Sequence, residues 1–455
     1  MLEAKQKIFL IGIGGCSMNG LAQILAARGY SVSGSDRDSS PFTDTLIKMG
    51  IPVFIGHDAK HVEGAQLVIY SAAIKPDHVE RAAARALGIP EMERSVALGE
   101  ISAQYESVVG IAGCHGKTTI TSMLASITLR GVTDATVHVG GNVDFLSGGT
   151  KVGNSGLFIT EACEYVESFL TLRPTTVLIS NIDDDHLDYY ADIGEIVEAF
   201  RKFLRLLPAD GLFIGCIDDQ HVRSLLSAPD KAKRTISYGF DKDAAYRPIN
   251  LEFDERGFAS FDLAHRGTKL AHIKLNIPGK HNVLNAVGAA VVALELGESV
   301  DDIAMGLEAY TLTARRFEKY GENNGVSIYH DYAHHPAEVR AVLDAAARVS
   351  QGKLWCVFQC NSFTRAKTLF SRNVTCFLQA NEVLVPNIFP GREVDDGSVH
   401  ARDMVNGINM AQPGKAKYIP TFEEIREYLD EHAQPGDLVL TLGSGDVYKQ
   451  TNKLL

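Results

Sequence analysis

Residues 107–128, SVVGIAGCHGKTTITSMLASIT, decide the fold. The run Ser107–Ala112 is apolar enough for a strand, and the segment beyond it sets Ile120, Met123, Leu124 and Ile127 on one side of a helix. Between them lies a glycine turn, Gly113-Cys114-His115-Gly116-Lys117-Thr118-Thr119. Strand, glycine turn and helix in this order make a phosphate cradle. Glycines let backbone N–H groups turn toward one centre, and the helix N-terminus adds positive potential. Lys117 can then bridge terminal phosphates, and the Thr118 hydroxyl can ligate magnesium. Position 111 is Ile, so the full G-x-x-x-x-G-K-[ST] pattern is not met. The competing reading is a glycine turn that only caps a helix. Strand, glycines, Lys and Thr in one register favour the cradle.

The same alternation of strand and helix runs outward in both directions. Toward the N-terminus it comprises Ile8–Ile13, the Met18/Leu21/Ile24/Leu25 helix face closed by Gly29, then Tyr30–Ser33 and Leu67–Tyr70. Toward the C-terminus it continues through Leu157–Thr160 and Val177–Asn181. A charged, glycine-containing stretch, Arg315–Gly325, precedes a third series at Val326–Asp331, Leu354–Phe358, Glu382–Val385 and Leu438–Leu442. The pattern predicts an α/β protein of three domains, each on a largely parallel sheet. They are a Rossmann-like domain over 1–106, a P-loop ATPase-like domain over 107–313 and a Rossmann-like domain over 314–455. A length of 455 residues suits about three domains.

Composition narrows the function. With 44 Lys+Arg against 56 Asp+Glu the net charge is −12, which disfavours nucleic acid and anionic membrane surfaces as partners. No apolar run approaches the ~18 residues of a membrane helix, which argues against membrane insertion. The opening Lys5–Gly12 segment reads as a first strand, because it leads into a glycine turn without a signal-peptide cleavage site. Seven cysteines with no C-x-x-C pair argue against a disulfide framework and predict a reducing, cytoplasmic location.

Two acidic turns follow the strands beside the cradle, Glu161-Ala162-Cys163-Glu164 and Asp183-Asp184-Asp185-His186. In a parallel sheet both fall at the carboxyl edge. Oxygen ligands with an occasional imidazole are what magnesium takes around a triphosphate, which nominates Glu161 and His186. Gly12-Ile13-Gly14-Gly15 opens another strand-to-helix turn, with Asp36 ending the second strand. Any nucleotide diphosphate suits that turn. A nicotinamide oxidoreductase is the alternative, but it leaves the second cradle without a use.

His281-Asn282-Val283-Leu284-Asn285 opens a helix whose amides can meet a base edge or serve as caps. In His330-Asp331-Tyr332-Ala333-His334-His335-Pro336 several polar side chains enter one crevice. The adjacent imidazoles lack the i, i+4 spacing of a helical zinc pair. Arg315, Arg316 and Arg365 are cations for phosphate or carboxylate, or else surface ion-pair partners.

The ordered set GIGGCSMNGLA with SGSD, SAAI, GCHGKTT, EACEY, NIDDDHLDYY, IPGKHNVLNA, RRFE, HDYAHHP and LGSGD resembles the Mur ligase family through nearly the whole chain. That resemblance implies a UDP-sugar domain, a central ATPase domain and a C-terminal domain that closes over them. It implies an ATP-dependent ligase that joins L-alanine to the lactyl carboxylate of UDP-N-acetylmuramate through an acyl phosphate, in peptidoglycan precursor synthesis. The alternatives are a relative that attaches a peptide or another amino acid, and a non-catalytic nucleotide-binding regulator.

Position by position, the resemblance puts the ATP phosphates on Gly113, Cys114, His115, Gly116, Lys117, Thr118 and Thr119. Magnesium falls to Thr118, Glu161 and His186, and the catalytic set is Lys117, Glu161 and His186. Asn282 and Asn285 face the adenine and Asp331 the ribose, with Arg316 among the ATP-binding residues. Gly12, Gly14, Gly15, Asp36 and Ser71 take the UDP part, and Tyr332, His335 and Arg365 the amino acid. Lys202 is expected to be an exposed helix residue, and the chain a monomer or weak homodimer. The family's F-Q-P-H-x-[YF]-[ST]-R-T segment stands here as Phe358-Gln359-Cys360-Asn361-Ser362-Phe363-Thr364-Arg365-Ala366.

Overall fold

The computed structural model describes residues 2, 3, 5–146, 148–187, 189–227, 234–391 and 393–454. In the first hundred residues the strands β1 (Lys7–Ile11), β2 (Ser31–Asp36), β3 (Val53–Ile55), β4 (Leu67–Tyr70) and β5 (Glu91–Glu93) form one parallel sheet in the order β3-β2-β1-β4-β5. The chain steps outward from β1 to β3, then returns to β4 on the other side. Strand order therefore reverses at β1, and a crevice opens beyond its carboxyl end. The Gly12–Gly15 turn occupies that point and leads into the helix Cys16–Ala27, whose Leu21, Ile24 and Leu25 are fully buried.

The central sheet has ten strands. These are β6 (Ser107–Ala112), β7 (Thr136–Val143), β8 (Gly148–Lys151), β9 (Leu157–Glu161), β10 (Thr176–Ile179), β11 (Leu212–Cys216), β12 (Arg234–Tyr238), β13 (Tyr246–Phe253), β14 (Phe258–His265) and β15 (Thr268–Pro278). Their order is β15-β14-β13-β12-β11-β10-β6-β9-β7-β8, parallel through the middle and antiparallel at both edges. The helix Lys117–Thr128 leaves β6 and is buried from Thr119 to Thr128, sandwiched between sheet and helices Lys280–Glu295 and Val300–Ala309.

The antiparallel meander β13–β15 goes beyond the expected alternation of strands and helices. Arg266 and Gly267 both have positive φ, which suits a tight hairpin. Ile273, Leu275 and Ile277 are buried while Lys274 and Asn276 point outward, a period of two that marks a half-buried strand.

In the last domain β16 (Glu318–Asn323), β17 (Val326–Asp331), β18 (Leu354–Phe358), β19 (Glu382–Val385), β20 (Ala416–Tyr418) and β21 (Leu438–Leu442) pair in the order β16-β17-β21-β18-β19-β20. The charged stretch before β17 is itself an edge strand. It turns back through Asn324 and Gly325, at φ 50° and 80°, to pair antiparallel with β17.

The first two domains meet where the helix Cys16–Ala27 lies on β7 and β8. Ser17 Oγ is 3.0 Å from His138 Nε2, and His138 Nδ1 is 3.1 Å from Thr150 Oγ1. Burial holds the His138 pKa down to about 3, so the imidazole is neutral and serves as a packing and hydrogen-bonding group. Gly20 sits over this pair. A Cβ there would lie 2.5 Å from His138 Nδ1 and collide with Thr150 Oγ1. Gly20→Ala is expected to destabilise the protein by about 1–3 kcal/mol through overpacking. A thermal unfolding midpoint equal to that of the parent would contradict so close a contact.

Candidate active site

The cradle is built from backbone. Gly113 has φ +133° and Gly116 +85°, and a Cβ on Gly116 would lie 2.6 Å from Asn285 Oδ1. The end of β10 braces the loop. Asn181 Oδ1 accepts from His115 N at 2.8 Å, and the His115 carbonyl accepts from Ser180 Oγ at 2.8 Å and Asn181 Nδ2 at 2.9 Å. Lys117 opens the helix and curls back, donating from Nζ to the carbonyls of Gly113 and Cys114. The same Nζ meets both oxygens of Glu164, at 3.0 and 2.8 Å. Burial works against the Lys117 charge, but Glu164 outweighs it and holds the pKa above its ordinary value.

The acidic groups converge on this helix start. Glu161 ends β9 and accepts from Gly140 N at 2.6 Å and from Thr118 Oγ1 at 3.2 Å. Burial raises its pKa, offset by the Gly140 amide and by Lys117. His186, at φ 53°, places Nε2 3.6 Å from Glu164 Oε1 and 3.9 Å from Asp185 Oδ2. Donor atoms of Glu164, Asp185 and His186 lie within 4.8 Å of one another. Carboxylate and hydroxyl oxygens with one imidazole beside a phosphate cradle fit magnesium. Lys117, Thr118, Gly140 and His186 share a cleft of about 330 Å³ with Arg315, Arg316, Tyr332, His334 and Arg365 of the last domain. The guanidinium carbons of Arg315 and Arg316 stand 5.0 and 5.3 Å from the Tyr332 ring centre.

A second cavity, of about 340 Å³, adjoins it through Gly116, Arg316 and Glu338. Thr119 lines this one, as do Asn282 and Asn285 from helix Lys280–Glu295, with Tyr238, Pro278, Leu312 and Phe317 as apolar walls. A flat heterocycle suits a slot of that kind. The two amides are interlocked, since Asn282 Nδ2 donates to Pro278 O at 2.7 Å and Asn285 Nδ2 to Asn282 Oδ1 at 3.0 Å. Asp331 also lines this cavity, but both its oxygens accept from backbone N–H groups, Phe317 and Ala333, each at 2.7 Å. Burial lifts its pKa to about 6 in spite of Arg316. It shapes the segment entering the last domain.

That domain is clamped onto the central one. Arg372 meets Asp183 at 2.8 Å and Asp184 at 3.3 Å, and Arg365 meets Asp185 at 2.9 Å. His115 lies between Asp183 (3.3 Å) and Glu338 (3.2 Å). Burial alone would lower the His115 pKa, but the hydrogen bonds to those carboxylates lift it to about 9. His335 is wholly buried. It caps helix Pro336–Val349 through Nδ1 and approaches the Asp184 carbonyl at 3.0 Å through Nε2. Of the two adjacent histidines, His334 is the one that lines the cleft. Arg365 borders both the cleft and a further cavity of about 400 Å³, which includes Asn361, Ser362, Tyr165 and Ser444.

In the first domain Gly12 takes φ +79°, and Gly14 N donates to Asp36 Oδ2 at 2.8 Å. Asp36 thus holds the turn itself. Gly15 is the N-cap of the following helix, and Ser71 directly follows β4, half-buried. Burial and Glu161 push the Cys16 thiol up to about 11, which sets the start of that helix within electrostatic reach of the cradle. Lys202 is exposed on helix Ile193–Leu204 and pairs with Glu167 at 2.7 Å.

Glu164, Glu338, Arg372, Asn181 and His334 enter the site without having been singled out as site residues from the sequence. Glu164 stood in the acidic turn already quoted, and a buried lysine needs such a partner. Arg372 carries no sequence signal, because its partners lie nearly 190 residues away.

Comparison with known proteins gives three matches in chain order. They are the Mur ligase family catalytic domain over residues 7–106, the Mur ligase middle domain over 111–293, and the Mur ligase glutamate ligase domain over 315–445. A UDP-N-acetylmuramate–L-alanine ligase of Acetivibrio thermocellus is 43% identical over 444 residues, 97% of this chain and 94% of that one. One from Alkaliphilus metalliredigens is 42% identical over 448 residues, covering 98% and 96%. Among solved structures, a UDP-N-acetylmuramate-alanine ligase from Thermotoga maritima superposes with TM-score 0.79 at 25% identity, over 98% of each chain.

Proposed function

We infer the activity from the family to which this chain belongs, the Mur ligase family: it joins L-alanine to the lactyl carboxylate of UDP-N-acetylmuramate, with ATP as co-substrate. The observation that carries the reading is the cleft in which Lys117 and Thr118 face Arg316, Tyr332 and Arg365 across two domains. A carboxylate oxygen attacks the γ-phosphorus of ATP, the bond to ADP breaks, and an acyl phosphate forms. The L-alanine amine then attacks the acyl carbon, loses a proton and expels phosphate.

Gly113, Cys114, His115 and Gly116 turn toward the phosphates, Lys117, Thr118 and Thr119 hold them, and Arg316 meets them from the opposite wall. Thr118, Glu161 and His186 would hold a magnesium ion, which when bound would neutralise charge on the transferred group. Asn282 and Asn285 flank the adenine, and Asp331 keeps the ribose end of the slot in shape. Gly12, Gly14, Gly15, Asp36 and Ser71 seat the uridine diphosphate. Arg365 and Tyr332 orient the amino acid, while His335 acts at one remove by seating its helix. Excluding water protects the acyl phosphate from hydrolysis, and the clamp of the last domain serves that end.

We take 1–106, 107–313 and 314–455 as the three domains, a cytoplasmic setting, and a monomer or weak homodimer as the working form. No described helix is long and apolar enough to cross a membrane.

The deciding experiment measures ADP release with UDP-N-acetylmuramate across a panel of amino acids and a tripeptide. L-alanine is expected to give the fastest turnover. Turnover with the tripeptide alone, or with no acceptor at all, would reject the assignment. Arg365→Ala is expected to raise the KM for L-alanine about tenfold or more, the loss of a charged hydrogen bond, with the KM for ATP little changed. Equal losses for both substrates would remove Arg365 from the amino-acid pocket.

A further inference from the structure

We propose that the first domain binds a divalent transition-metal ion, zinc being the probe of choice, through His57, His78 and Glu80. The group lies apart from the ligase cleft, and no step of the reaction above uses it. His57 follows β3, while His78 and Glu80 stand at the start of helix Val79–Ala86. Three donor atoms, one from each residue, fall within 4.8 Å of one another. Glu80 Oε2 is 3.0 Å from His57 Nδ1 and 4.0 Å from His78 Nδ1. In a tetrahedral zinc site with bonds of about 2.1 Å, neighbouring donors stand roughly 3.4 Å apart, so the two distances bracket that spacing. The His57 and His78 rings are set edge to face at 4.5 Å, and an ion would take over Nδ1 atoms that now meet Ser35 Oγ at 3.1 Å and, in a long contact of 3.4 Å, the Glu80 backbone N–H.

Charge and burial point the same way. The Glu80 side chain is completely buried. The described hydrogen-bond partners of its carboxylate are Ser35 Oγ at 2.6 Å, His57 Nδ1 at 3.0 Å and His61 Nδ1 at 2.9 Å, and no lysine or arginine is among its described ion-pair partners. The neighbouring Arg81 is turned toward Glu91 and the Ile74 carbonyl. A buried carboxylate needs cationic or hydrogen-bonding compensation, and two imidazoles with a carboxylate form a donor set that borderline divalent ions favour. His61 holds the other carboxylate oxygen and would fix the ligand's orientation. His57 and His78 are each about a fifth exposed, at 21% and 18%, so a fourth ligand can enter from solvent.

The site ties the loop after β3 to the start of a helix. It also touches Ser35, whose neighbour Asp36 holds the Gly14 turn. A bound ion would therefore stiffen the wall of the crevice assigned to the sugar nucleotide.

Crystals of the parent protein, stripped with chelator and soaked with one equivalent of zinc, test this directly. An anomalous peak is expected within bonding distance of His57 Nδ1, His78 Nδ1 and Glu80 Oε2. In solution, zinc affinity is expected to fall at least about tenfold in His57→Gln and in His78→Gln. The rise in melting temperature that zinc gives the parent should vanish with it. An anomalous peak only at Glu164, Asp185 and His186, no peak at all, or variants that bind zinc as tightly as the parent would overturn the assignment. The soaked parent crystal answers the question even where a variant fails to fold.

Discussion

Lys117→Ala is expected to abolish ATP-dependent ligation, lowering turnover by at least about 10²–10³-fold, the cost of removing one preorganised charge partner from a phosphoryl-transfer site. It should also unsettle the fold. Glu164 is buried and has Lys117 at 2.8 Å, so truncating the lysine leaves the carboxylate with only the His186 imidazole, at 3.6 Å, among its described ion-pair partners, at a cost of up to about 3–5 kcal/mol. The two effects are separable. Lys117→Met combined with Glu164→Gln removes both charges, keeps the volume and should melt close to the parent while remaining inactive. Urea unfolding and ADP release on the same preparations make the comparison. A well-folded double variant that still ligates at near-parental rates would take Lys117 out of the chemistry.

The sequence carried the parallel strands and the cradle because both are local. A strand buried on two faces is a run of apolar residues, and a phosphate loop is a fixed spacing of glycine, lysine and threonine. The edge strands escaped for a physical reason. β16 is rich in charge because one side of an edge strand faces water, so Glu318–Asn323 looks like a linker until Asn324 and Gly325 are read as a hairpin turn. The pairings across domains were hidden by sequence distance. Arg372 and Asp183, or His115 and Glu338, carry no periodicity that links them. His335 shows the opposite failure. A polar residue in a motif-like cluster looks available to substrate, yet an N-cap followed by Pro336 uses its ring for the helix and its far nitrogen for the Asp184 carbonyl. His334, one residue earlier, is left to line the cleft.

Closure of the last domain onto the cradle is expected to weaken in alkali, with His115 as the group responsible. Its pKa of about 9 in the folded protein stands above the 6.5 of the free side chain, so the folded state keeps a proton that the unfolded chain has released. The stabilisation is complete below pH 6.5 and is lost as pH rises through about 9. At ~1.36 kcal/mol per pH unit that span is worth about 3 kcal/mol at most. The carboxylates work in the other direction. Hydrogen bonds and nearby imidazole charge hold Glu338 and Asp183 below the ordinary carboxylate range despite burial, so their contribution is present above that range and fades in acid. Asp331, lifted to about 6 by burial, opposes them, because its share is greatest below its ordinary 3.8 and falls as pH rises through 6. The clamp is therefore strongest in mildly acidic solution, above the ordinary carboxylate range and below pH 6.5. The His115 backbone amide belongs to the cradle, so ATP affinity should follow the same alkaline limb. Between pH 6 and 10 the melting temperature of the parent is expected to fall, and its ATP Kd to rise, as pH climbs from 6.5 through about 9. His115→Gln, less stable at pH 7, should show little of that decline. Parallel profiles for the two proteins would assign the alkaline loss to some other group.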